Sequence, residues 1–141
     1  MVCFEYDSLT SEDKWNEYFD VILANPPIMT PKGGIKPHNK FGLKSSRAEV
    51  LFVDYIVNHL RPKGRAGIVI PEGILFKNDA AYKELRKNLI NNGLYAVISL
   101  PRGIFQPYSN EKTSILLVDS EVSAKHDEIL FVTLQEVGFD A

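Results

Sequence analysis

One cysteine, Cys3, stands in 141 residues. No internal disulfide can form, which suits a reducing cytoplasm. No apolar run approaches the roughly 20 residues of a membrane-spanning helix, and the first residues lack the charged-then-apolar pattern of a signal peptide. Formal net charge is -2, so the whole molecule exerts no attraction on nucleic acid and any such affinity must be local. The three histidines, His38, His59 and His126, are scattered, with neither metal-ligand spacing nor a nucleophile beside them. No internal repeat or low-complexity segment occurs. Length and an ordinary apolar fraction of 45% fit a single domain with one core, residues 1–141.

What is present is a succession of strand and helix signals. Val2–Tyr6 alternates enough for a short strand, and Ser11–Trp15 reads as a helical turn or loop with Ser11 as its cap. Phe19-Asp20-Val21-Ile22-Leu23-Ala24 is apolar and β-prone and ends at Asn25-Pro26-Pro27, the pattern of a buried strand leaving its sheet as a stiff loop. Residues 30–46 form a long polar connection, of the kind that is either functional or disordered. Ser45 or Ser46 is placed to cap a helix reaching about Leu60, with Val50, Leu51, Tyr55, Ile56 and Leu60 at helical spacing and Pro62-Lys63-Gly64 as its stop. Ala66–Ile70 is a second buried strand. Asp79 is placed to cap a helix through Asn91, with Ala81, Leu85, Leu89 and Ile90 as its stripe and Gly93 as its stop. Leu94–Leu100 and Thr113–Val118 are further strands, and Glu128–Leu134 is a candidate fifth.

Strand, helix, strand, helix, strand implies right-handed crossovers and an α/β fold with a mainly parallel sheet. The link from Phe105 to Thr113 is too short for a crossover helix, so the strand after it should run antiparallel. At the carboxyl edge of such a sheet, where ligands bind, Asn25 is held by two fixed φ angles with its amide pointing out.

Asp20–Pro27 resembles the Asn/Asp-Pro-Pro-aromatic motif of S-adenosylmethionine-dependent amino methyltransferases. Pro31–Ile35, Ser46–Tyr55, Gly64–Gly73, Leu100–Phe105 and Lys112–Leu116 continue the likeness in order. Together they resemble the N-6 adenine methylase family, and within it the modification subunit of type I restriction-modification systems. The resemblance implies the second half of a Rossmann-like methyltransferase fold. In that family a glycine-rich turn on the first strand holds the cofactor, yet the 24 residues before Asn25 contain no glycine. Asp7-Ser8-Leu9 resembles the stretch at the end of the third strand, where an acidic residue lies near the cofactor adenine. The resemblance thus implies a partial methyltransferase domain beginning near that third strand, with weak or no S-adenosylmethionine binding by itself.

The resemblance also implies site roles. The Asn25 side-chain oxygen and the Pro26 carbonyl accept hydrogen bonds from the exocyclic amine of a flipped adenine, and Pro27 stiffens the pair. Asp7 and Asn25 face the cofactor. Ile28 stands where the family has an aromatic that stacks on the base, a difference worth roughly 1–3 kcal/mol, with Phe41 or Phe76 as substitutes. Lys32, Lys36, Lys40, Lys44 and Arg47, in a stretch without any acidic residue, are candidates for DNA phosphates or simply a solvated loop. Glu72 suits a helix start, and Arg47 and Glu49 a local polar network. Implied partners are DNA, a specificity subunit and a restriction subunit. Two rivals remain: methylation of RNA bases or glutamine side chains, which share Asn-Pro-Pro motifs, and a non-enzymatic assembly module pairing through a sheet edge near the Asn-Pro-Pro strand.

Overall fold

A computed structural model describes residues 7–11 and 14–136; the Val2–Tyr6 strand expectation lies outside them. The elements, in order, are β1 (Phe19–Ala24), α1 (Ala48–Asn58), β2 (Leu60–Pro71), α2 (Gly73–Phe76), α3 (Ala80–Asn91), β3 (Leu94–Ser99), β4 (Thr113–Asp119), α4 (Ser120–Ser123) and β5 (Leu130–Thr133). They form one five-stranded sheet in the order β1-β2-β4-β3-β5. β1 pairs parallel with β2, and β3 parallel with β5. β4 inserts between β2 and β3, antiparallel to both. Four strands therefore run one way and one is reversed, the mainly parallel sheet with an antiparallel strand that the short link required.

Among the described residues, the main core lies on one face of the sheet. Ile68 and Ile70 of β2, Leu116 and Val118 of β4 and Val97 of β3 meet Val50, Val53 and Val57 of α1 and Tyr82, Leu85 and Leu89 of α3. Each fully buried aliphatic here contributes about 1.5–3 kcal/mol over its exposed state. The opposite face carries Leu23, Gly67, Val69, Ile115 and Leu117, bordering an open groove of about 440 Å³. β1 is consequently not a buried strand. It forms an edge with one face bare, so Leu23 is 83% and Val21 50% exposed, and only Ile22 and Ala24 pack towards the core.

Several local expectations change. α1 begins after Arg47, and neither Ser45 nor Ser46 caps it. Thr30 Oγ1, from the preceding loop, accepts the Ala48 N–H instead, at 3.0 Å. α1 ends at Asn58, and Pro62-Lys63-Gly64 is no helix stop but an irregular stretch of β2, where the pairing with β1 shifts register and Lys63 takes a φ of 67°. A bulge of this kind accommodates proline within a strand. Asp79 occupies the N-cap position of α3 without a side-chain hydrogen bond. Ile90 is exposed, and Tyr82 takes its place in the buried stripe of α3. α4 was not legible as a helix; Asp119, the last residue of β4, caps it by accepting from the N–H groups of Glu121 and Val122.

Candidate functional site at the carboxyl end of the first strand

Asn25 follows the last residue of β1 and is exposed, as is Pro27, while Pro26 and Ile28 are half-buried. Ala24 pairs with Ile68 of β2, which runs on to Pro71, so the tripeptide leaves the sheet at the carboxyl end of this parallel pair, alongside the last residues of β2. Asn25 also rims the groove on the bare face. Gly67 forms part of that groove, and a Cβ there would come within 3.1 Å of Leu23 Cδ2. The missing side chain keeps the groove open beside Asn25.

The loop after Ile28 is ordered by specific contacts. Gly34 N–H donates to Pro31 O at 2.9 Å and Ile35 N–H to Ser46 O at 2.8 Å. Gly34, at φ +78°, admits no side chain, because a Cβ would sit 2.8 Å from that of Ser46. Leu43 is buried in the main core. Phe41 and His38 join Trp15, Tyr55 and His59 in a cluster of edge and tilted ring contacts. Phe41 is thereby committed to packing, whereas Phe76 is 70% exposed and remains available as a stacking surface.

Lys32, Lys36, Lys40, Lys44 and Arg47 are all exposed. Of these, only Arg47 lines the polar cavity of about 300 Å³ formed with Thr30, Pro31, Gly33, Gly34 and Ser46. The lysines are distributed along the loop rather than gathered in that cavity. Asp7, expected near a cofactor, is exposed and turned into its own chain: Oδ2 accepts from Thr10 Oγ1 at 2.6 Å, and Oδ1 from the N–H groups of Leu9 and Thr10. The Thr10 hydroxyl first, and then the Leu9 N–H, hold its carboxyl below the ordinary aspartate value. Four lone-pair positions on a carboxylate leave it able to accept further donors.

A polar cluster behind the loop escaped the sequence reading except as an unspecified network around Glu49. Glu49, 7% exposed, accepts from Tyr82 OH at 2.7 Å and from Thr30 Oγ1 at 3.0 Å. Burial first, and the Glu49 carboxylate on its hydroxyl, push the Tyr82 phenol well above its ordinary range. Only the i, i+1 neighbours of Glu49 are adjacent in sequence, so nothing in the spacing could have linked Thr30, Glu49 and Tyr82. Among the described residues no group of three or more His, Cys, Asp or Glu side chains is placed to hold a metal ion, and no helix is long and apolar enough to cross a membrane.

A mainly parallel sheet with one reversed strand, with Asn-Pro-Pro at a carboxyl edge, defines the S-adenosylmethionine-dependent methyltransferase class of fold. The crystal structure of a putative class I S-adenosylmethionine-dependent methyltransferase from Listeria monocytogenes has the same fold, with a TM-score of 0.65 at 21% identity over 87% of this chain and 39% of that one. Within this class the chain belongs to the N-6 DNA Methylase family, whose model matches residues 3–139. It is 36% identical over 104 residues to the type I restriction enzyme EcoEI methylase subunit of Escherichia coli, a span of 72% of this chain and 21% of that protein. The crystal structure of the type I restriction enzyme EcoKI M protein superposes with a TM-score of 0.70 at 27% identity, covering 81% of this chain and 23% of that one. The chain thus spans about a fifth of the length of these curated relatives.

Proposed function

We propose that this chain is the catalytic-motif half of a methyltransferase domain, residues 1–141, in a type I restriction-modification methylase subunit that methylates the exocyclic amine of adenine in DNA. The carrying observation is Asn25, exposed at the carboxyl end of a parallel strand and followed by two prolines, in a chain of the N-6 DNA Methylase family.

The adenine amine is a poor nucleophile because its lone pair is delocalised into the ring. The Asn25 side-chain oxygen and the Pro26 carbonyl accept its two hydrogens, which favours a tetrahedral nitrogen and aims the lone pair. No strong base is needed, since the nitrogen becomes more acidic as it is methylated, and fixed geometry supplies most of the effect. Pro26 and Pro27 give that geometry its stiffness. The open groove beside Asn25 fits a ligand at this edge, and Asn25 and Asp7 are the residues here that would face S-adenosylmethionine. When bound, that cofactor supplies a methyl group on a sulfonium. The base reaches the site only outside the duplex, and Lys32, Lys36, Lys40, Lys44 and Arg47 hold the DNA backbone. The whole protein works in the cytoplasm with a specificity subunit and a restriction subunit.

The test is expression of the full-length protein, with its specificity partner, in a host free of adenine methylation. N6-methyladenine at one recurring motif, abolished by Asn25→Ala, is the expected result. Methylation that survives Asn25→Ala removes Asn25 from the mechanism. Calorimetric titration of the 141-residue chain with S-adenosylmethionine should show no detectable heat; micromolar binding would mean that the chain holds a complete cofactor site.

A second reading, assembly through the sheet edge, is favoured by β1 lying at that edge with Leu23 exposed. Light scattering of the 141-residue chain decides it: association that Leu23→Lys relieves supports pairing at this edge, and a strict monomer discards it.

A further inference from the structure

The Asn-Pro-Pro tripeptide needs more than its prolines to be held in place. Three residues beyond Pro27 the chain reaches Thr30, whose hydroxyl makes two bonds at once. It accepts the Ala48 N–H at the first turn of α1 and donates to Glu49 Oε2, both at 3.0 Å. The other Glu49 oxygen accepts from Tyr82 OH of α3 at 2.7 Å. Lys77 closes the cluster, its Nζ 3.3 Å from the Tyr82 hydroxyl and 5.1 Å from the ring centroid. Glu49 and Tyr82 are almost fully buried, at 7% and 2% exposure.

A buried carboxylate is a poor way to stabilise a domain, because desolvation offsets what its hydrogen bonds contribute and an apolar residue of similar volume commonly does as well. What a carboxylate with two occupied oxygens does provide is a fixed distance between the groups that donate to it. Here those groups are the loop behind the Asn-Pro-Pro tripeptide and the helix that packs against α1. From these observations we infer that Glu49 is a positioning residue: through Thr30 on one side and Tyr82 on the other, it sets where the Pro26 carbonyl and Asn25 amide stand relative to the sheet. The inference rests on the adenine-methylation reading for its kinetic consequence, but not for the anchor itself.

Thr30→Val is the informative variant. It keeps the branched shape and removes both hydrogen bonds, while Thr30→Ser restores the hydroxyl. The first readout needs no activity: hydrogen exchange of backbone amides in residues 28–35 of the full-length protein. The second is turnover on duplex DNA carrying the unmethylated target motif, with kcat and KM measured separately at a matched folded fraction. For Thr30→Val, loop exchange should accelerate at least tenfold and kcat should fall 10- to 100-fold, as small displacements of a reacting group do. KM for S-adenosylmethionine should change less than threefold. Thr30→Ser should return both readouts to within about threefold of wild type, and Glu49→Ala should behave as Thr30→Val does.

Faster loop exchange with unchanged kcat would overturn the positioning role. So would a fall in activity accounted for by unfolded protein. A wild-type protein that methylates no adenine would sink the functional reading instead; the exchange comparison would then still decide whether Thr30 and Glu49 hold this loop.

Discussion

The His59 imidazole spans two backbone carbonyls, with Nε2 2.8 Å from the oxygen of Trp15 and Nδ1 2.6 Å from that of Tyr55. It is 1% exposed, stacked on the Tyr55 ring at 3.9 Å and met edge-on by the Trp15 indole at 4.7 Å. One side chain therefore fastens the segment ahead of β1 to the end of α1. The same segment is tied in by the Phe19 N–H, which donates to His59 O at 2.9 Å, and by Trp15 ring contacts with His38 and Phe41.

His59→Phe retains a ring but removes both ring nitrogens, so whichever of the Tyr55 and Trp15 carbonyls accepts the ring N–H loses that donor. An acceptor left unpaired costs about 1–3 kcal/mol. Trp15 is the sole tryptophan, so its emission reports the segment directly. The variant should melt several degrees lower, with Trp15 emission shifted to the red before the main transition. A lower melting point with unshifted emission would show that the segment is held by other contacts.

Asp54 supplies a pH dependence. It is 1% exposed, and burial first raises its carboxyl above the ordinary value of 3.8, while the Asn88 amide at 3.3 Å opposes the shift and the charge of Glu84 adds to it. The folded state thus binds the Asp54 proton more tightly than the unfolded state. This contribution to stability is fully present below 3.8 and is lost as pH rises through the folded value. Asp54→Asn should therefore stabilise the chain at pH 7, and the gain should shrink towards zero as pH falls below about 4. Chemical denaturation at the two pH values measures this; a gain that is the same at both would assign the effect to packing rather than charge.

Much of this arrangement was readable from residues alone. Apolar runs ending at Pro26, Pro71 and Pro101 mark strand ends because proline withdraws a donor and fixes φ, and the short link before Thr113 dictated the reversed β4. The exposure of β1 was not readable: a strand covered on both faces and an edge strand with one bare face share the same apolar composition. Pro62-Lys63-Gly64 failed as a stop signal because a bulge absorbed it. At the candidate site, the Asn-Pro-Pro tripeptide was legible as a motif because its three residues are consecutive. Thr30, Glu49 and Tyr82 were not, since their hydrogen bonds join residues 19 and 33 positions apart and periodicity carries no information about such contacts.

Ile28 gives a prediction about base capture. It is half-buried, three residues after Asn25, at the position where the motif it resembles has an aromatic ring. Ile28→Phe in the full-length protein should strengthen retention of an extrahelical base by roughly 1–3 kcal/mol if the ring stacks on it. The readout is fluorescence of 2-aminopurine placed at the target position, together with KM for DNA. Unchanged fluorescence and KM would mean that another surface, with Phe76 the exposed candidate, already supplies the stack.

The basic loop makes a prediction that separates phosphate contact from mere solvation. Lys32 and Lys36 flank Gly33-Gly34 and Ile35, in the part of the loop held by the Ile35-to-Ser46 hydrogen bond. A lysine that neutralises one phosphate releases counterions, so its removal flattens log K against log salt by about 0.9. A lysine that is only solvated leaves the slope unchanged. Binding of duplex DNA by the full-length protein, measured between about 50 and 200 mM salt, should show a slope smaller by about 1 for Lys32→Ala or Lys36→Ala, and by about 2 for the pair. Affinity should fall alike for specific and unrelated sequences, because phosphate contacts carry no base information. A slope that stays constant through the double replacement would place the DNA backbone elsewhere and leave these side chains a solvating role.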